Sequence, residues 1–126
     1  MIRYRYNQQV RPPAPFVHVS VQRPDAEGPV SDLAAQIDTG ADMTVLPAAA
    51  VEQLHLVQFD AIPILAFGGI TRTVPTYLVS LALRGQEPVV IEILGSADEP
   101  HALLGRDFLN RYRMLLDGRR DILEID

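Results

Sequence analysis

At 126 residues the chain can bury one ordinary hydrophobic core but not two well-packed ones, so a single folding unit is the default. Hydrophobic residues make up 48% and charged residues 21%, the balance of a folded globular protein rather than a disordered one. A net charge of -5 argues against nucleic acid as a partner, the lack of cysteine removes disulfides, thiolate nucleophiles and cysteine metal sites, and no stretch reaches the length of a membrane span.

In chain order, Ile2-Arg3-Tyr4-Arg5-Tyr6 alternates apolar and charged side chains as a short half-buried strand does. It lacks the apolar core of a secretory signal, so a cytoplasmic location is expected. Arg11-Pro12-Pro13-Ala14-Pro15 then interrupts regular structure. Phe16 to Val21 and Asp32 to Ile37 are strand-like runs separated by the turn-rich segment 23–29, which predicts a hairpin. Met43 to Leu46 reads as a short strand, and Pro47 suits the first turn of a helix continuing to Leu54. Pro63 to Phe67 and Thr71 to Tyr77 flank Gly68-Gly69, whose freedom at positive φ suits a tight hairpin tip. Leu78–Leu83, Val89–Leu94 and Leu103–Gly105 are further apolar runs. A second short helix is expected over Arg106–Tyr112, and Met114–Asp117 with Ile122–Ile125 reads as strand, turn, strand. The expected fold is mostly β with one or two short helices.

Asp38-Thr39-Gly40 places an acid, a hydroxyl and a flexible residue in a tight loop between two apolar runs. Alone, such a triplet is usually an ordinary turn. Its setting, Ala35-Gln36-Ile37-Asp38-Thr39-Gly40-Ala41-Asp42-Met43-Thr44-Val45-Leu46-Pro47, closely resembles the active-site segment of retropepsins, the aspartic proteases of retroviruses and their cellular relatives. Two further segments resemble that family in the same order. Ala66-Phe67-Gly68-Gly69-Ile70 is similar to the glycine-rich flap, and Ala102-Leu103-Leu104-Gly105-Arg106-Asp107-Phe108-Leu109 to the strand and helix that follow it.

The resemblance implies a single-lobe closed β-barrel with a β-hairpin flap, over residues 16–126. Residues 1–15 form an N-terminal strand and proline-rich connector, a candidate dimer-interface arm. It implies an aspartic endopeptidase in which water is activated between two Asp38 carboxylates. Amide hydrolysis needs one carboxylate to accept a proton and one carboxylic acid to polarise the carbonyl, and two close aspartates naturally share one proton. The sequence holds one Asp-Thr-Gly triplet, so the second carboxylate must come from a second copy about a twofold axis. A homodimer acting on a peptide or protein substrate is expected.

By the same resemblance Thr39 would bond across the dyad and Gly40 would let substrate backbone approach. Ala41 and Asp42 would line the substrate site, Asp42 also pairing with Arg106 as structural support. Phe67, Gly68, Gly69 and Ile70 would close over the substrate, and Pro100, His101 and Leu103 would wall its side-chain pockets. Ile2, Tyr4 and Tyr6 with Ile122, Leu123 and Ile125 are candidates for the dimer interface or for a simple edge strand. His18, His55 and His101 have no metal-site spacing, so no metal or cofactor is expected. Two departures from the retroviral pattern stand out: a flap tip with fewer glycines and an arginine-rich, proline-broken N-terminus. The competing readings are a weakly active or inactive dimeric binding or scaffolding module of the same fold, and a subunit that assembles only through a larger parent chain or a partner.

Overall fold

The computed structural model describes residues 1–65 and 68–126. In chain order the elements are β1 (Ile2–Arg5), β2 (Phe16–Gln22), β3 (Ser31–Ile37), β4 (Val45–Pro47), α1 (Ala48–Gln53) and β5 (Gln58–Leu65). They continue with β6 (Thr71–Leu83), β7 (Val89–Ser96), β8 (Ala102–Leu104), α2 (Arg106–Leu109), β9 (Met114–Asp117) and β10 (Ile122–Ile125). Among the described residues no helix is long and apolar enough to cross a membrane.

Side-chain alternation decides where the long strands go. In β2, Val17, Val19 and Val21 are buried while His18 faces outward, the two-residue period of a strand with one face on a core. β2 pairs antiparallel with β3, Phe16 opposite Gln36 and Val21 opposite Ser31, so the expected hairpin forms. β6 is one strand of 13 residues, where the sequence suggested two runs, because it changes partners along its length. β5 takes its first half, from Thr71 opposite Leu65 to Tyr77 opposite Gln58. β2 takes its second half, and β7 pairs along Thr76–Leu81. Pro75 falls just before β7 joins, at an edge position where a missing N–H is tolerated.

The strand order β2-β3-β8-β4-β7-β6 returns from β6 to β2, which closes a six-stranded barrel with β5 extending beyond it. Inside lie Val17, Val19, Leu81, Ile93, Leu104 and Phe108, all at most 1% exposed. Fully burying side chains of this size contributes about 1.5–3 kcal/mol each. α2 is shorter than expected: after Leu109 the chain tightens into turn bonds, Arg111 N to Phe108 O at 3.2 Å and Tyr112 N to Leu109 O at 3.0 Å.

β1, β10 and β9 form a separate three-stranded sheet. β1 lies against β10 of its own chain, Ile2 opposite Ile125 and Tyr4 opposite Leu123. Tyr6, Leu123 and Ile125 are buried in the common core, and Ile2 and Tyr4 pack against it. Burial, with the carboxylates of Asp121 and Asp117 nearby, pushes the Tyr6 phenol above its ordinary pKa. Apart from Ile122, the side chains expected at an interface are therefore turned toward the chain's own interior.

Candidate active site

β3 and β4 are consecutive, yet β8 lies between them. β3 runs parallel to β8, with Gln36 opposite Leu103 and Ile37 opposite Leu104, and β4 meets β8 antiparallel at Val45 and Leu103. The connection from Asp38 to Thr44 must therefore cross over the end of β8. Asp38 N donates to Leu104 O at 3.0 Å as the crossing begins. Beneath it lies Gly105, where an added Cβ would sit 2.6 Å from the carbonyl carbon and 2.7 Å from the carbonyl oxygen of Met43. Gly105 has φ -87° and ψ 179°, a conformation open to any residue, so what demands glycine is space. The Met43–Thr44 part, expected as strand, is instead drawn into this loop.

The crossing is tied down by polar contacts from the segment just after β8. Thr44 is fully buried. Its N–H donates to both Asp107 carboxylate oxygens at 3.1 and 3.0 Å, its hydroxyl donates to Asp107 Oδ1 at 2.8 Å, and the same hydroxyl oxygen accepts from Gly105 N at 3.1 Å. Arg106 N donates to Ala41 O at 2.9 Å and Asp107 N to Asp42 O at 3.3 Å. The Arg106 guanidinium donates through Nη1 to Thr39 O at 2.8 Å and through Nη2 to the Asp42 carboxylate. Within the loop, Gly40 N donates to Asp38 Oδ1 at 3.1 Å and Ala41 N to Asp38 O at 3.2 Å. Asp38 is half-buried, while Thr39 and Gly40 are exposed. An acid is thus presented at the surface on a backbone held from below.

Asp38, Thr39, Gly40, Ala41, Asp42 and Arg106 accordingly form one hydrogen-bonded unit. Phe67 lies outside the described residues. Gly68 and Gly69 take φ of 91° and 81°, and apart from their chain neighbours no atom of the described residues comes within 4 Å of the point where a Cβ would stand; Ile70 is 64% exposed. Side chains other than glycine are strained at such φ values. Pro100 is exposed, and His101 leans on β3, its Nε2 3.1 Å from Gln36 Oε1 and its ring edge-on to Phe16 at 4.8 Å. Leu103 registers against Val45, which lines a cavity of about 480 Å³ together with Ile64, Val74, Leu94, Arg72 and Asp98. Among the described residues no three His, Asp or Glu side chains gather as a metal site would require.

A protein-family model described as gag-polyprotein putative aspartyl protease matches residues 30–111. The chain belongs to the retropepsin-like aspartic protease family. Its fold is similar to that of EIAV protease complexed with the inhibitor HBY-793, at 24% identity over 78% of this chain and 86% of that one, with a TM-score of 0.62. It is also similar to a retropepsin-like aspartic protease from Rickettsia conorii, at 16% identity over 97% of this chain and 86% of that one, with a TM-score of 0.65. The third similarity is to the foamy viral protease-reverse transcriptase in complex with an RNA/DNA hybrid, at 17% identity, 78% of this chain, 12% of that one and a TM-score of 0.55. No curated protein matches the sequence.

Sequence reasoning on this retropepsin-like chain missed Thr44 and Asp107, which lie 63 residues apart and carry no local signal beyond an acid directly after Arg106. The expected Asp42–Arg106 pair is present, but Asp42 is 84% exposed and Arg106 43%, so the pair itself contributes little. More should rest on the guanidinium bond to Thr39 O. Asp42→Asn is expected to cost at most about 0.5 kcal/mol, and Arg106→Ala about 1–3 kcal/mol. Equal losses in denaturant melts of the two variants would show that the ion pair, not the Thr39 carbonyl, is what Arg106 serves.

Proposed function

We propose that two copies of this chain form an aspartic endopeptidase, with Asp38 of each facing the other across a twofold axis. One carboxylate takes a proton from water while the other, as the acid, hydrogen-bonds the scissile carbonyl oxygen. The water oxygen bonds to the carbonyl carbon, the C–N bond then breaks, and the amine leaves with a proton returned by the dyad. Thr39 links the two loops, and Gly40 leaves room for substrate backbone. Ala41 and Asp42 line the cleft, Pro100, His101 and Leu103 wall its pockets, and Phe67, Gly68, Gly69 and Ile70 close as a lid that excludes water.

The observation that carries this reading is the Asp38 loop itself, a surface carboxylate on a backbone braced at Thr39, Ala41, Asp42 and Thr44 by residues 105–107. Such bracing is what positioning a reacting group requires. The test is cleavage of a diverse peptide library with oligomeric state followed by sedimentation at several concentrations. Activity per chain should rise with concentration until the dimer is saturated. Undiminished activity in a preparation that is wholly monomeric would refute the shared site.

Ala41 follows the triplet, where a hydroxyl side chain could donate to the ionised dyad and favour that form. Alanine offers no such donor, so activity should reach nearer neutral pH than in pepsin-like enzymes. A rate profile confined to strongly acidic pH would contradict this.

A further inference from the structure

The cavity of about 480 Å³ that Val45 lines has a floor and a rim of different character. Its floor is aliphatic: Val45, Ile64 and Val74 are half-buried, and Leu94 is 9% exposed. That floor is tied to the Asp38 loop. Leu94 N donates to Thr44 O at 2.9 Å, and Val45, the next residue, registers against both Leu94 and Leu103. The remaining wall comes from the two strands that carry the Gly68-Gly69 tip, with Ile64 of β5 opposite Arg72 of β6. The rim carries one cation, Arg72, and two acids, Asp98 and Glu99. Arg72 Nη1 donates to Asp98 Oδ2 at 3.2 Å, which engages the cation. Glu99, half-buried, has no ion-pair partner among the described residues.

We propose that this cavity takes a lysine or arginine side chain of the substrate, and that Glu99 is the residue that selects it. The inference rests on the endopeptidase reading above and names the substrate class of that same site.

The charge of the occupant decides between the alternatives. An apolar side chain would cover the floor but leave Glu99 unanswered, and a carboxylate that loses water without gaining a partner is costly. An acidic side chain would meet two carboxylates and a guanidinium that is already engaged. A basic side chain suits both parts of the cavity. Its methylenes lie along Val45, Ile64, Val74 and Leu94 while its charged head stays at the rim, where it donates a charge-assisted hydrogen bond to the Glu99 carboxylate. The net charge of -5 adds a field that draws basic peptides toward the protein. A twofold axis between two Asp38 side chains sets two such cavities at equal distances from the reacting centre. The preferred substrate therefore carries basic residues at matching distances on the two sides of the cleaved bond.

Profiling of the parent chain on a randomised peptide library should show lysine or arginine enriched at two positions symmetric about the cut. For matched peptides differing there only as lysine or methionine, kcat/KM should favour lysine by at least about fivefold. Glu99→Gln should remove most of that ratio, and Arg72→Gln, by releasing Asp98, should enlarge it. Circular dichroism follows the folding of each variant. A parent that cleaves peptides without basic enrichment, or a folded Glu99→Gln variant that keeps the lysine-to-methionine ratio, overturns the inference and leaves the endopeptidase reading standing. Enrichment of acidic residues that Arg72→Gln abolishes also overturns it, because the guanidinium would then be the selecting group. A dimeric parent that cleaves no peptide overturns both.

Discussion

Asp38→Asn is expected to reduce peptide cleavage by at least about a thousandfold while leaving the fold and the dimer in place. Asparagine keeps the shape of aspartate, and its side-chain oxygen can still accept from Gly40 N, as Asp38 Oδ1 does at 3.1 Å. What it cannot do is take a proton from water. Loss of activity with an unchanged sedimentation profile and melting curve would therefore be a chemical effect. Mixing sharpens the test. If each active unit needs two intact copies, equal amounts of parent and variant chains at fixed total concentration should retain about a quarter of the activity after exchange. About half would indicate that each chain works alone, and retained proteolysis in the pure variant would sink the assignment.

Gly105→Ala is expected to destabilise the chain by about 1–3 kcal/mol. Two terms oppose each other. Replacing glycine by alanine restricts the unfolded chain and would stabilise by about 0.4–1 kcal/mol where the native geometry accepts it. Here φ is acceptable but the space is not, because the new Cβ would lie 2.6–2.7 Å from the Met43 carbonyl. That carbonyl adjoins Thr44, which Asp107 holds by three hydrogen bonds, so relaxation would break contacts elsewhere. Overpacking at about 1–3 kcal/mol or more wins. The denaturation midpoint should fall with little change in slope, and cleavage should fall with it, since the displaced backbone leads back to Asp38. An alanine variant as stable as the parent would show that the crossing loop is less tightly held than its hydrogen bonds indicate.

Much of the architecture was legible because it is written locally. Strand-forming runs on either side of a turn-rich segment marked β2 and β3, paired glycines marked the hairpin between β5 and β6, and the Asp38 triplet stood between two apolar runs. Its place in the site depended on three segments occurring in order, which one sequence can display. Less visible was whatever depends on distant partners. The continuity of β6 through Pro75 follows from the handover of its neighbours from β5 to β2. The early end of α2 follows from the turn that leads into β9. The Thr44–Asp107 bridge joins residues 63 apart and could not be inferred from either. The termini show the same limit: their alternating apolar pattern announced strands, but only the register of Ile2 with Ile125 and Tyr4 with Leu123 revealed that they satisfy each other.

That last pairing separates two events that are fused in many small dimers. Because β1 finds β10 within its own chain and the barrel closes on itself, a newly made copy can reach its native shape without waiting to meet another. Its resistance to unfolding should then depend little on protein concentration, unlike that of an obligate dimer. If the chain cuts peptides only as the proposed pair, abundance becomes the switch: scarce copies would persist intact and silent, and output at low dose would climb with the square of the amount made.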